Sequence, residues 1–222
     1  MRCRCCRPGG GTALAVGGGL AALLVAYRRR LRERVLTWGA TPEEVSARMP
    51  GDELLEDAAV VSTRAITIDA PASAVWPWLV QMGPGRGGAY TYDWIENLLG
   101  LDIHSSDRVL PQFQGLAVGD VVRARDGTPW MHVRILEPDR TLAWRSDDGG
   151  WIWTFVLAER DGATRLVSRN RISMRDDALG RRVAMAVMEP GSLVMERKML
   201  RGIAERAERL ARSGAPTDPD GA

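Results

Sequence analysis

The hydrophobic pattern changes period several times along the chain, and the changes mark its elements. "VVSTRAITID", from Val60 to Asp69, alternates and is rich in β-branched residues, which predicts a strand. "DAPASAVWPWLVQ" then opens a helix, with Asp69 near the cap and Pro71 in the first turn, where its missing N–H costs nothing. "TYDWIENLLG" predicts a second short helix closed by Gly100. Five further runs read as strands: "VVRAR", "WMHVRILE", "RTLAWRS", "WIWTFVLAER" and "TRLVSRNRIS". Turn-forming "DGTP", "EPD", "DDGG" and "RDGA" separate them. The stretch from Ala178 to Arg212 is helical at both ends, with an interruption expected at Glu189, Pro190 and Gly191.

Consecutive strands joined by such short turns pair antiparallel, because parallel pairing needs long crossovers. The predicted class is therefore α+β, a curved antiparallel sheet of about six strands with the long C-terminal helix over its concave face and two short helices between the first and second strands. Trp151, Trp153, Phe155 and Leu157 share one strand face. Leu193, Met195, Met199, Leu200, Ile203, Ala207 and Leu210 form a stripe on the helix, with Glu196, Arg197 and Lys198 on the remainder.

The first forty residues follow another pattern. Gly11 to Tyr27 carries no charge, is flanked by Arg2, Arg4 and Arg7 on one side and "RRRLRER" on the other, and as a helix would rise about 26 Å. It is expected to be an uncleaved transmembrane helix, and the heavier basic cluster after it places the main domain on the cytoplasmic side of the cell membrane. The expected organisation is a basic cysteine-containing start over 1–10, the span over 11–27, a juxtamembrane segment and linker over 28–59, the main domain over 60–212 and a disordered tail over 213–222. Within the linker Thr41 is a good N-cap for a helix starting at Pro42.

Composition removes some function classes. The formal charge is +2 over 222 residues, with no nucleic-acid-binding signature, so nucleic acid is not an expected partner. Cys3, Cys5 and Cys6 are the three cysteines, which leaves the predicted domain without a thiol. With two histidines, no metal-ligand spacing and no cofactor fingerprint, neither a metal nor a cofactor is expected.

"APASAVWPWLVQMG", "GRGGAYTYDWIENLLGLDIH", "GLAVGDVV" and "EPGSLVMERKMLRGI" together resemble bacterial, membrane-anchored members of the SRPBCC group, the START-like helix-grip superfamily that includes polyketide cyclases and lipid-transfer domains. The resemblance runs from about Val60 to Leu210. It implies a sheet around a C-terminal helix, with two short helices closing a deep apolar cavity, and carries no catalytic set onto numbered residues.

Candidate site residues follow from placement. "GPGRGG" lacks the ending of a phosphate loop and follows a helix, so it reads as a tight turn beside a bent helix at a cavity mouth. Trp78, Tyr90, Trp94, Trp151, Trp153, Phe155, Met195 and Met199 are candidate lining residues, with Arg86 and Arg169 as possible polar contacts. Arg165, Val167, Arg169 and Arg171 share one strand face, either a solvated outer face or, if turned inward, one that buries Arg169 and demands a carboxylate. His104, Asp93 and Glu96 are weak catalytic candidates; Asp93 reads best as an N-terminal helix charge, and His132 is expected to face solvent opposite Val133 and Ile135. The expected function is a membrane-anchored binding protein for a small hydrophobic or amphipathic ligand. The alternatives are a cyclase- or hydrolase-type enzyme, and a membrane-tethered interaction module whose pocket is filled by its own tryptophans.

Overall fold

The computed structural model describes residues 27, 30–98, 103–124, 126–174 and 179–214, with backbone alone for 179–187. Short helices α1 (Arg32–Leu36) and α2 (Pro42–Ser46) precede strand β1 (Val60–Ile68). Then come α3 (Ala72–Val80), α4 (Asp93–Leu98), strands β2 (Val121–Arg123), β3 (Pro129–Glu137), β4 (Thr141–Ser146), β5 (Trp151–Arg160) and β6 (Ala163–Ile172), and helix α5 (Leu179–Gly214). The strands form one antiparallel open sheet in the order β1-β6-β5-β4-β3-β2. The meander is sequential from β2 to β6, and β1 closes the far edge by pairing with β6 from Val60↔Ile172 to Ile68↔Thr164.

Alternation assigns the two faces. Trp153 and Phe155 of β5 lie opposite Trp144 and Leu142 of β4, and these side chains join α3 and α5 in the core. Helix α5 contributes Met199, Leu200, Ile203, Ala204 and Ala207, all buried. In β3 a register shift between Val133 and Ile135 inserts an extra residue, so Leu136 rather than Ile135 packs on the main core. His132 remains on the outer face as expected.

Three local expectations change. Helix α5 runs unbroken through Pro190 for 36 residues. A proline inside a helix forfeits one hydrogen bond without ending it, and here Ser192 Oγ donates to the Glu189 carbonyl at 2.8 Å within the same turn. Pro71 is the N-cap residue of α3 rather than part of its first turn, and the Ala72 N–H donates instead to Glu159 Oε2 of β5 at 2.8 Å. Ser213 and Gly214, placed in the tail by their polarity, complete α5.

The expected span at 11–27 lies, but for Tyr27, outside the described residues; no helix among the described residues is long and apolar enough to cross a membrane. Gly100 and the expected tail from 215 also lie outside them.

The segment from Arg32 to Glu56 is built into the domain. Thr41 and Glu44 form a reciprocal capping box on α2. Trp38 presents its carbonyl to the Ala65 N–H on the β1 edge and its ring to Arg197 and Arg201 of α5. The chain then passes onto the outer face of the sheet, where Gly51 sits against Ala143, Ile152 and Thr154. This strap covers an exposed strand edge, which would otherwise invite pairing with another chain.

Candidate functional site

The inner face of the sheet is an aromatic wall. Trp151 and Trp153 stack at 5.4 Å, Trp153 meets Phe155 at 4.9 Å, and Trp144 stands edge-on to Trp153 at 6.1 Å. Trp130 is edge-on to both Trp144 and Trp151. Alternating positions on neighbouring strands put these rings side by side, the arrangement in which aromatic cross-strand pairs stabilise a sheet.

One end of the wall is polar. Ser168 and Asn170 of β6 and Arg64 of β1 converge on Glu196 of α5, and all four are buried. Glu196 accepts from Ser168 Oγ at 2.6 Å, from Asn170 Nδ2 at 3.2 Å and from Arg64 Nη1. Arg64 also donates to Ser192 Oγ at 3.0 Å and to the Val35 carbonyl at 3.1 Å. Burial pushes the Glu196 carboxyl above the ordinary carboxylate range, while Arg64, Ser168 and Asn170 pull it back. The Trp153 indole donates to Ser168 Oγ at 3.0 Å and that of Trp151 to Asn170 Oδ1 at 2.9 Å.

Trp78 of α3 and Trp144 of β4 differ from that pair. Both are buried, and among the described residues the indole N–H of neither has a hydrogen-bond partner. A buried unpaired donor is costly, about 1–3 kcal/mol, and a ligand acceptor is one way to relieve it.

The second wall is α3 with the loop after it. Gly83 and Gly88 exchange backbone hydrogen bonds at 3.0 and 3.3 Å, so the glycine-rich stretch is indeed a tight turn. Gly88 has φ +80° and packs on the backbone of His104 and Ser105, where a Cβ would lie 2.6 Å from Ser105 Cα. Tyr90 is buried, its hydroxyl donates to the Trp78 carbonyl at 3.0 Å, and the two rings meet edge-on. Burial pushes its phenol well above the ordinary range. Gln81, fully buried, accepts from the Leu110 N–H and donates to the Arg108 carbonyl, tying the loop before β2 to α3.

Several nominated residues have other roles. Arg86 is held by the protein itself through one nitrogen: its Nη2 donates to the carbonyls of Val80 and Phe113 at 2.9 and 3.2 Å, and its guanidinium lies 4.5 Å over the Phe113 ring. It caps the end of α3, where the last carbonyls lack partners. Trp94 does not line the interior. It is 68% exposed, because α4 turns Glu96 inward, and positions two apart on a helix lie roughly 200° around the axis. Met199 is buried in the core and Met195 is half-buried on α5.

Arg169 faces outward, yet it is buried, because the strap covers it. It donates to Asp52 at 2.8 Å, to Thr63 Oγ1 at 2.9 Å and to the carbonyls of Glu44, Val45 and Ala47. The carboxylate demanded of an inward Arg169 comes instead from the strap. Arg165 pairs with Glu44 at 2.7 Å, and Arg171 donates to the carbonyls of Leu55 and Glu56. A cleft of about 510 Å³ lies beside this clamp, between the strap and β1 and β6.

The weak catalytic candidates are not brought together. Asp93 is occupied by Ser105, accepting from its N–H at 2.8 Å and its hydroxyl at 2.6 Å. His104 is exposed on the same loop. Glu96 is buried with Oε2 unpartnered, and burial raises its pKa. No cluster of three His, Cys, Asp or Glu among the described residues suits a metal ion.

One strand, two helices, a five-strand meander and a long C-terminal helix make a helix-grip fold. No family model and no curated protein sequence matches the chain. Solved structures similar to it include a Mesorhizobium loti protein, at 18% identity over 70% of this chain and 99% of that one, with a TM-score of 0.40. A polyketide-cyclase-like protein of Corynebacterium glutamicum is 18% identical over 69% of this chain and 90% of that one, with a TM-score of 0.32. CalU16 of Micromonospora echinospora is 17% identical over 68% and 86%, with a TM-score of 0.31. The helix-grip assignment rests on the chain's own element order and register.

Proposed function

We propose that this chain is a membrane-anchored binding protein of the START-like kind, holding a small, largely apolar molecule between the aromatic face of its sheet and helices α3 and α5. The observation that carries this reading is the pair of buried, unpartnered indole donors, Trp144 on the sheet and Trp78 on α3, both in the main apolar cluster. Apolar surface supplies affinity and a few placed donors set orientation. The ligand class that fits is an aromatic or lipid-like molecule with one or two oxygen acceptors, such as a quinone or polyketide. The uncharged stretch at 11–27 and its flanking arginines support a position at the cytoplasmic face of a membrane, where such molecules concentrate.

The enzyme alternative has less support, since His104 is exposed and Asp93 is engaged by Ser105. The filled-pocket alternative draws on the close packing of the tryptophans with one another. Native mass spectrometry of the detergent-extracted full-length protein, with organic extraction of what co-purifies, separates the readings. A reproducible apolar adduct that is lost in Trp144→Phe, which keeps a ring and removes the donor, is the expected result. A persistently empty, compact protein would favour the interaction module.

A further inference from the structure

A second, smaller cleft of about 340 Å³ opens on the outer face of the sheet, away from the aromatic wall, lined by His132, Arg134, Arg145, Ser146, Asp147, Asp148 and Gly149. Its centre is Arg145. The outward arginines of β6, Arg165, Arg169 and Arg171, all donate to acceptors of the strap. Arg145 lies beside the strap, whose Gly51 sits against Ile152, the partner of Arg145 on β5. Among the described residues Arg145 makes no hydrogen bond or ion pair, and its Nε is buried and unpartnered.

The neighbours of Arg145 are basic. His132 is directly opposite it in the β3–β4 register, and Arg134 follows two residues along β3. Two carboxylates also line the cleft. Asp147 Oδ1 lies 2.7 Å from His132 Nε2, orienting the ring. Asp148 is turned into its own hairpin, accepting from Ser146 Oγ at 2.6 Å and the Gly150 N–H at 3.0 Å. The hairpin closes on Arg145 through Gly149, φ +72°, where a Cβ would lie 2.8 Å from Nη2, so its backbone can approach the guanidinium only because no side chain intervenes.

We infer that this cleft is a binding site for a phosphate-type oxyanion, gripped by the planar fork of Arg145 with Arg134 and the His132 ring at its sides. Arginine's donors match the spacing of phosphate oxygens, which a point charge does not. The anion is either free phosphate or the headgroup of an anionic lipid; the chemistry is shared and the test separates them.

The test uses isotope-labelled full-length protein in nanodiscs, with signals from the Arg134 and Arg145 side chains and the Gly149 amide followed by NMR. In phosphatidylcholine discs, inorganic phosphate is expected to move all three beyond what chloride does at equal ionic strength. Replacing phosphatidylcholine in part with phosphatidic acid, without free phosphate, reproduces the shift if the headgroup is the occupant and leaves it absent if free phosphate is. Arg145→Met should weaken binding, read on Gly149 and Arg134, by about tenfold or more, as loss of a charge-assisted contact does. Arg134→Met, at an exposed position that does not risk the fold, should weaken it less, and Arg145→Lys should restore only part. No shift with either source, or an unchanged affinity in both methionine variants, would overturn the assignment.

Discussion

On the inner face of the sheet, tryptophans pack against one another and polar groups are scarce; on the outer face, arginines from β6 reach into a strap of preceding chain. Both faces bury charge, by different means. Inside, Arg64 and Glu196 meet across the gap between β1 and α5, with Ser168, Asn170 and Ser192 filling the remaining bonds. Outside, Arg169 is covered mainly by backbone carbonyls at the end of α2, aided by Asp52. The contrast teaches where strain is tolerated. The outer face leaves few donors unmet because a segment of chain was laid over it, whereas the inner face keeps two indole N–H groups with no partner of their own.

The largest effect should come from breaking the inner pair. Glu196→Ala strands a buried guanidinium and is expected to cost about 3–5 kcal/mol, whereas the double change Arg64→Met with Glu196→Met should recover most of that, because an apolar pair of similar volume has no charge to desolvate. Urea unfolding of the three proteins measures both. On the outer face, Arg169→Met should cost about 3 kcal/mol, at the low end because Asp52 keeps Arg171 at 3.4 Å. It should also release the strap, so limited proteolysis would cut between residues 39 and 57 before the sheet unfolds.

The smallest expected effect is in pH dependence, and its sign separates the faces. Glu196 has a raised pKa, so between the ordinary carboxylate value and its own the native state holds a proton that the unfolded chain has released, and stability falls as pH rises through that window. Glu44 is lowered by its hydrogen bond to Arg165, so its contribution is present above the ordinary value and is lost as pH falls through its folded one. Relative to the unsubstituted protein, Glu196→Gln should flatten the loss on raising pH and Glu44→Gln the loss on acidification. Equal slopes in the two variants would erase the distinction.

Strand order and the aromatic face were legible because period-2 alternation and short turns leave few choices. "WIWTFVL" states its inward residues outright, and Thr41 was visible as the N-cap of a helix starting at Pro42, though not the reciprocal bond from Glu44. What alternation could not show was cover. Arg169 reads as solvated on an outer face, and only the strap's path makes it buried. Glu196 was assigned to the wet side of α5 from its charge alone. The missed signal was Arg64, an arginine at an inward position of β1 between Ser62 and Ile66, which needs a buried acid from whatever packs above it. Trp94 misled for the opposite reason: aromatic character suggested a wall, but its helix turns it to solvent.

The central claim is that the orphaned indoles meet a ligand. Its most direct test compares the tryptophan indole N–H spectrum of the full-length protein as purified with that after removal of bound apolar material. The account predicts that Trp78 and Trp144 shift and broaden on removal and return when the extract is restored, while Trp151 and Trp153, held by Asn170 and Ser168, barely move. Indole signals that stay the same through extraction and restoration would contradict it.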